Sequence, residues 1–368
     1  MRPTWADIDL GAVAHNVELL KAAAAPAVVC AVVKADGYGH GAVPIGRAAV
    51  EAGAEWLGVA LVEEGRILRE SGIRCPILVL SEPRPLEMVE VVAYDLTPTV
   101  YSGEGLAAAA AAANQGGHCL DVHLKIDTGM GRVGAQPADA TALAAAIVDK
   151  EALNLQGVWT HCAMADDPAD PYTNVQLDTY DGVLAELAGA GFDIALRHAA
   201  NSAVTLTSAR GRYDMVRCGI ATYGLAPSPA LAATTDLRAV LRLRSQVSFA
   251  KRLLAGERIS YGLAWQADRD TNIATVPIGY ADGIRRRSAA VGGEVLIRGS
   301  RHPIVGAVTM DQLMVDCGDE PVVAGDEVVL IGHQGDHVIP ADEWAERLDT
   351  ISYEIVCDIA SRVSRRYI

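Results

Sequence analysis

No apolar run in this chain is long enough to cross a bilayer, and the longest, Ala22 to Val33, is interrupted by Pro26. The N-terminal residues lack the apolar segment and small-residue cleavage site of a secretory signal, which predicts a cytoplasmic protein. Cys-x-x-Cys pairs are missing as well. Cys30, Cys75, Cys119, Cys162, Cys218, Cys317 and Cys357 are odd in number and scattered, which argues against a disulfide framework and against zinc. Most of them are expected to be small buried hydrophobes, and no metal is expected. An excess of basic residues is also absent. With 46 acidic against 31 basic residues the net charge is -15, which repels nucleic acid and anionic membranes. The expected partners are small molecules or a second copy of the chain.

What the chain has is a large capacity for burial: 368 residues at 51% hydrophobic content, enough for two domains. From Ala27 to Gly224, short β-branched runs alternate with Ala- and Leu-rich segments, as in repeated βα units around a parallel sheet. Strands are expected near Val28 to Lys34, Trp56 to Ala60, Ile77 to Ser81, Leu96 to Tyr101, Leu120 to Asp127, Leu155 to His161, Ile194 to His198 and Met215 to Ile220. Eight of them suggest a closed (β/α)8 barrel of the TIM type. Between them, Ser102 caps a helix that a Gly116-Gly117 pair stops. A second helix is expected from Thr173, with Thr173 and Gln176 as a capping box and a core stripe of Leu177, Tyr180, Leu184 and Leu187. Past Pro227 and Pro229 the texture changes to alternating strands with Gly turns, near Val247 to Phe249, Ile273 to Val276, Glu294 to Ile297 and Glu327 to Ile331. The expected division is therefore a barrel over residues 1–232 and a mainly antiparallel β domain over 233–368, the first few residues packing with the latter.

Lys34 leaves the first apolar strand within Ala31-Val-Val-Lys-Ala-Asp-Gly-Tyr-Gly-His-Gly41, at the end where such barrels build active sites. A lysine there is costly to bury, and a desolvated amine is a nucleophile able to form a Schiff base. The last barrel strand carries Arg217 in an otherwise apolar segment, followed by Gly219 and Ile220, whose amides are candidate phosphate donors beside the Ser202 hydroxyl.

Seven ordered segments, Ala31 to Gly41, Lys125 to Arg132, Met215 to Gly224, Ile259 to Gly262, Pro277 to Gly283, Met310 to Gln312 and Ile351 to Glu354, resemble the alanine racemases, fold-type III enzymes that use pyridoxal 5'-phosphate. The resemblance covers nearly the whole chain. It implies a homodimer with shared sites that interconverts L- and D-alanine by two-base proton transfer and supplies D-alanine for peptidoglycan. Lys34 would hold the cofactor and serve one face of the substrate, and Tyr261 the other. Arg217 would face the pyridine nitrogen, and Tyr38, Ser202, Gly219, Ile220 and Tyr353 would bind the phosphate. His161 would orient Arg217 and Tyr261. Arg132 and the Met310 backbone would bind the substrate carboxylate, with Asp311 in support. Lys125 matches a position often carbamylated in the family, and its nearness to like charge is a reason to expect that. Where the family commonly has an arginine at the substrate entrance this chain has Ala307, a gap that Arg285, Arg286 or Arg287 could fill. A racemase of serine or another small amino acid, a decarboxylase of the same fold type, and a non-catalytic cofactor-binding protein are the alternatives. Arg217 weighs against the decarboxylase, and the β domain with Tyr261 and Met310 against the carrier.

Overall fold

The computed structural model describes residues 2–232 and 235–368. Strand β1 (Thr4–Ile8) comes first, followed by β2 (Val28–Val32), β3 (Trp56–Val59), β4 (Ile77–Val79), β5 (Thr97–Val100), β6 (Leu120–Lys125), β7 (Leu153–Trp159), β8 (Leu196–His198) and β9 (Met215–Cys218). Strands β2 to β9 form one parallel eight-stranded sheet in the order β8-β7-β6-β5-β4-β3-β2-β9. Two backbone bonds, from the amide of Asp214 to Arg197 O and from that of Arg217 to Ala200 O, both at 3.0 Å, link its ends into a nearly closed barrel. The β2 to β5 strands are buried almost throughout, because a parallel sheet wrapped by helices has no wet face. Cys30, Trp56, Leu78 and Met215 pack as one interior cluster. Each such side chain stabilises the fold by roughly 1.5–3 kcal/mol.

The helix Gly103–Gly116 begins where its sequence says it should. Ser102 Oγ accepts the amide of Gly105 at 2.9 Å, and Gly117 ends the helix with φ 72°, a left-handed conformation that glycine reaches without steric cost. The helix expected from Thr173 is present, but its capping box is not. It runs Tyr172–Gly189, with Pro171 before it and Asp170 Oδ1 accepting the Tyr172 amide at 2.7 Å. Aspartate and proline thus start the helix earlier, which leaves Gln176 free for other bonds.

A second compact unit gathers the chain up to Leu10, Tyr38–Gly41 and Ala239–Ile368, whereas the barrel unit holds Gly11–Gly37 and Ala42–Arg238. The seam expected between 232 and 233 touches residues outside those described. The second unit adds β10 (Leu241–Gln246), β11 (Phe249–Leu253), β12 (Arg258–Ile259), β13 (Trp265–Gln266), β14 (Thr271–Val276), β15 (Glu294–Ile297), β16 (Ser300–Val305), β17 (Leu313–Asp316), β18 (Glu327–Gln334), β19 (His337–Ile339) and β20 (Ser364–Tyr367). Its main path is β11-β14-β17-β16-β15-β18-β10-β1-β20, with β19 on β18, and the β1–β20 pair is the parallel exception in an antiparallel sheet. The strand expected over Val247 to Phe249 is a junction instead, since β10 stops at Gln246 and β11 starts at Phe249. Among the described residues, no helix is long and apolar enough to cross a membrane. The cysteines are all free, with Cys30, Cys162, Cys218 and Cys317 buried, and Cys119 and Cys357 exposed.

Candidate active site

Lys34 lies two residues beyond the end of β2, at the carboxyl end of the barrel strands. Four successive residues after it are left-handed: Ala35 (φ 52°), Asp36 (φ 50°), Gly37 (φ 61°) and Tyr38 (φ 52°). Only glycine adopts this region without cost, so the neighbouring contacts must hold the turn. Glu64 Oε1 accepts the Ala35 amide at 2.6 Å, and its Oε2 accepts Ala60 N at 2.8 Å, tying the ends of two barrel strands to the lysine segment. Asp36 Oδ1 accepts Ala42 N at 2.9 Å.

At the same end of the barrel, Lys34, Arg132 and Arg217 lie close enough to Lys125 to act on it electrostatically, as does Asp127 with the opposite sign. Lys125 is buried and its pKa is lowered to about 8, by desolvation first, then by Arg217 and Arg132, with Asp127 opposing and Lys34 adding to the fall. Arg132 is exposed and has no ion-pair partner among the described residues. His161, on the rim, is pushed well below the usual imidazole range by desolvation and then by Arg217, Lys125, Arg132 and Lys34. It is therefore neutral at pH 7, with Nδ1 3.4 Å from Arg217. Trp159 supports the group: Lys125 Nζ is 4.4 Å and Arg217 Cζ 4.5 Å from its ring centroid. Cations over an indole face are favoured electrostatically where water is excluded.

Arg217 is buried with no carboxylate partner among the described residues, and desolvation lowers its pKa to about 10. Its NH2 donates to Thr160 O at 2.8 Å and Ala199 O at 3.1 Å, and its NH1 to His198 Nδ1 at 2.9 Å. A guanidinium only donates, so His198 Nδ1 accepts and its proton is on Nε2. Nε2 is 2.9 Å from His123 Nδ1, which must accept in turn, and His123 Nε2 donates to Gln156 Oε1 at 3.1 Å. Gln156 Nε2 then donates to Asp121 Oδ2 at 2.9 Å, while Asn154 donates to Oδ1 at 2.6 Å. The relay has one direction because an arginine begins it and a carboxylate ends it. Both imidazoles stay neutral: desolvation lowers His123 to about 4, opposed by the Gln156 bond, and holds His198 well below its ordinary value, helped by Arg217 and His123. Gly157 makes room, since a Cβ there would meet the His123 ring at 2.8 Å.

Ser202, Gly219 and Ile220 come together as expected. Ser202 Oγ accepts the amides of Gly219 at 3.0 Å and Ala221 at 3.3 Å, so its own proton is left to donate. The first amides of the turn Ile220–Tyr223 have no acceptor within that turn, which is the usual makings of an anion cradle. In the β unit, Tyr38 and Tyr353 sit with ring centroids 6.2 Å apart. Tyr261 opens a short turn between β12 and β13 and is 77% exposed, and Met310 is 53% exposed. Asp311 pairs with Arg362 at 2.6 Å. Ala307 N donates to Ser260 Oγ at 2.7 Å, and Ala307 borders an open cavity of about 500 Å³ with Arg285, Arg286 and Arg287.

Trp159, His198, His123, Gln156 and Asp121 were not legible as site residues, although a signal existed. His123 is two residues before Lys125, so the two share one face of β6, and Trp159 is two before His161, which lies just past the end of β7.

The family model described as alanine racemase, N-terminal domain, matches residues 8–227, and that of the alanine racemase C-terminal domain matches 240–367. The chain is 50% identical to the alanine racemase of Symbiobacterium thermophilum over 368 residues, covering 100% of this chain and 97% of that one. The crystal structure of alanine racemase from D-cycloserine producing Streptomyces lavendulae superposes with a TM-score of 0.95 at 40% identity, covering 100% of this chain and 97% of that one. A histidine racemase from Leuconostoc mesenteroides superposes at 0.92 with 29% identity, covering 100% and 98%, so racemases of different amino acids share this architecture. Family models spanning both halves of the chain, with full-length identity of this order, show that it belongs to the alanine racemase family.

Proposed function

We propose that this chain is a cytoplasmic, homodimeric, pyridoxal-phosphate-dependent racemase that interconverts L- and D-alanine. Its barrel unit, Gly11–Gly37 with Ala42–Arg238, binds the cofactor, and its β unit completes the site of a second copy. The observation that carries this reading is Arg217, a buried cation with no carboxylate, wired to neutral histidines.

The donor set fits the cofactor. Four neighbouring cations, the proton of Ser202 and the amide of Ile220 suit an anionic phosphate, with the Gly219 amide holding Ser202 Oγ in place and Tyr38 and Tyr353 as further hydroxyl donors. Lys34 would hold the cofactor covalently through its amine. Pyridoxal phosphate, when bound, supplies an electron-withdrawing ring that acidifies the substrate α-hydrogen. Arg217 would face the ring nitrogen, and a guanidinium there would not give up a proton, which would keep the ring a weak electron sink and disfavour decarboxylation and transamination. Lys34 takes or returns the proton on one face of the substrate and Tyr261 of a second copy on the other, since racemisation needs acid-base groups on both sides of one carbon. Arg132 binds the substrate carboxylate, the Met310 backbone of the second copy completes that contact, and Asp311 braces this segment through Arg362. His161 orients Arg217 and Tyr261.

The deciding experiment is steady-state racemisation by the cofactor-loaded enzyme, followed by chiral chromatography, with both enantiomers of alanine, serine and histidine. Alanine should be converted in both directions with the highest kcat/KM. Preference for serine or histidine would overturn the substrate, and no racemisation would overturn the reading.

A further inference from the structure

Gln176 is fully buried, one turn into the helix Tyr172–Gly189, and its bonds leave that helix altogether. Its Oε1 accepts the amide of Ala163 at 2.7 Å, and its Nε2 donates to His161 O at 3.1 Å and to Thr128 Oγ1 at 3.4 Å. Thr128 Oγ1 also shares a hydroxyl–hydroxyl bond of 2.7 Å with Thr160 Oγ1, in which either side can donate. One carboxamide therefore joins the loop after β6, which leads from Lys125 to Arg132, to the loop after β7, which carries His161. The first loop is pinned elsewhere by local bonds. Asp127 Oδ1 accepts the amides of Gly129 and Gly131 at 3.0 Å each, the Tyr172 hydroxyl donates to Gly129 O at 3.2 Å, and Ala135 N closes the base on Lys125 O at 2.9 Å.

The contacts ask for one acceptor and two donors on the same group, which is what a primary amide offers. A carboxylate would supply no donor, and an apolar side chain would take away the acceptor of the Ala163 amide and a donor to His161 O. The other buried residues of the helix, Leu177, Tyr180, Val183 and Leu187, anchor it as part of the core. Gln176 does something else.

We propose that Gln176 is a positioning residue that sets the Arg132 loop against the His161 loop and so tunes how tightly the substrate carboxylate is held. The inference rests on the proposed role of Arg132 as the carboxylate ligand. Arg132 itself is exposed and without an ion pair, so its place depends on the backbone that carries it. A shift of that backbone on the order of 1 Å weakens a bidentate contact and is felt in rate or affinity by tenfold or more.

The test uses the cofactor-loaded enzyme in three variants. Gln176→Met keeps length and bulk but removes every bond, Gln176→Glu keeps the acceptor and removes the donors, and Leu177→Ala lowers stability from the same helix without touching the loops. Gln176→Met should raise KM for alanine by about tenfold while kcat is largely kept and the cofactor absorbance is unchanged. Amide hydrogen exchange at Gly129, Gly131 and Ala163 should quicken together. Leu177→Ala should lose stability with KM unchanged. In Gln176→Glu, KM relative to wild type should fall back as pH is lowered, because burial raises the carboxyl pKa and the protonated acid regains one donor. This reversible signature decides the matter if Gln176→Met does not fold. An unchanged KM in Gln176→Met, an equal rise in Leu177→Ala, or a pH-independent KM ratio in Gln176→Glu would overturn the proposal. If the wild type does not racemise alanine, the functional reading fails while the exchange comparison still decides the loop coupling, and unaltered exchange would end it.

Discussion

Replacing Gln156 by leucine cuts the relay behind Arg217 at the one link that joins a ring to a carboxylate. The side chains are of similar bulk, so no large cavity opens, and the effect is one of polar satisfaction. His123 is fully buried and neutral, and its Nε2–H loses its acceptor, which costs about 1–3 kcal/mol. Asp121 loses one of its two amide donors at a half-buried position, worth about 0.5–1.5 kcal/mol. Together Gln156→Leu should destabilise the protein by about 1.5–4.5 kcal/mol in urea unfolding at neutral pH, with an unchanged denaturant slope. Gln156→Glu should behave differently. Its carboxyl would still accept from His123 but would face Asp121 across a contact of 2.9 Å, and two carboxylates so close share a proton. The pKa of the new acid is then raised on folding. Its contribution to stability is present below about pH 4.3, the unfolded value, and is lost as pH rises through the folded one. If Gln156→Leu unfolds within about 0.5 kcal/mol of wild type, the relay carries no directional bond at this link and the reasoning is wrong.

Lys125, with its amine pKa lowered to about 8, is about one-tenth neutral at pH 7 and should add carbon dioxide to become a carbamate, releasing one proton. Carbon-13 bicarbonate should give a carbamate resonance that grows as pH rises toward 8 and is missing from Lys125→Met; its absence from wild type would remove the argument. Mixing inactive Lys34→Ala with inactive Tyr261→Ala subunits should restore one working site per heterodimer, and no recovery after proven subunit exchange would mean that each chain builds its own site. Ala307→Arg should lower kcat/KM for serine relative to alanine, because it fills part of the cavity beside Arg285, Arg286 and Arg287; a ratio that does not fall shows that Ala307 does not widen the path.

The barrel was legible because its strands are buried on both faces and therefore appear as short β-branched runs, each bounded by a turn or helix signal. Lys34 and Ser202 stand out as polar residues past the ends of such runs, and Arg217 as a charge inside one. The relay did not, because its members meet across β6, β7, β8 and β9, and which rings face each other depends on strand register rather than on spacing along the chain. Gln176 was misread for a related reason: Thr173-x-x-Gln176 has the pattern of a capping box, but Asp170 and Pro171 had already begun the helix. Val247 and Ser248 alternate like a strand and fall at the junction of two, where pattern alone does not show the break.

The left-handed turn after Lys34 is an ordinary right-handed helical turn seen in a mirror. For L-residues such as Ala35, Asp36 and Tyr38 that hand costs roughly 1–2 kcal/mol each, whereas a D-residue would find it relaxed. The chain thus holds, beside Lys34, a stretch of backbone shaped for the opposite enantiomer. Chemical synthesis with D-alanine at position 35 would remove local strain without adding an atom, so chirality itself becomes a handle on how firmly that lysine is seated.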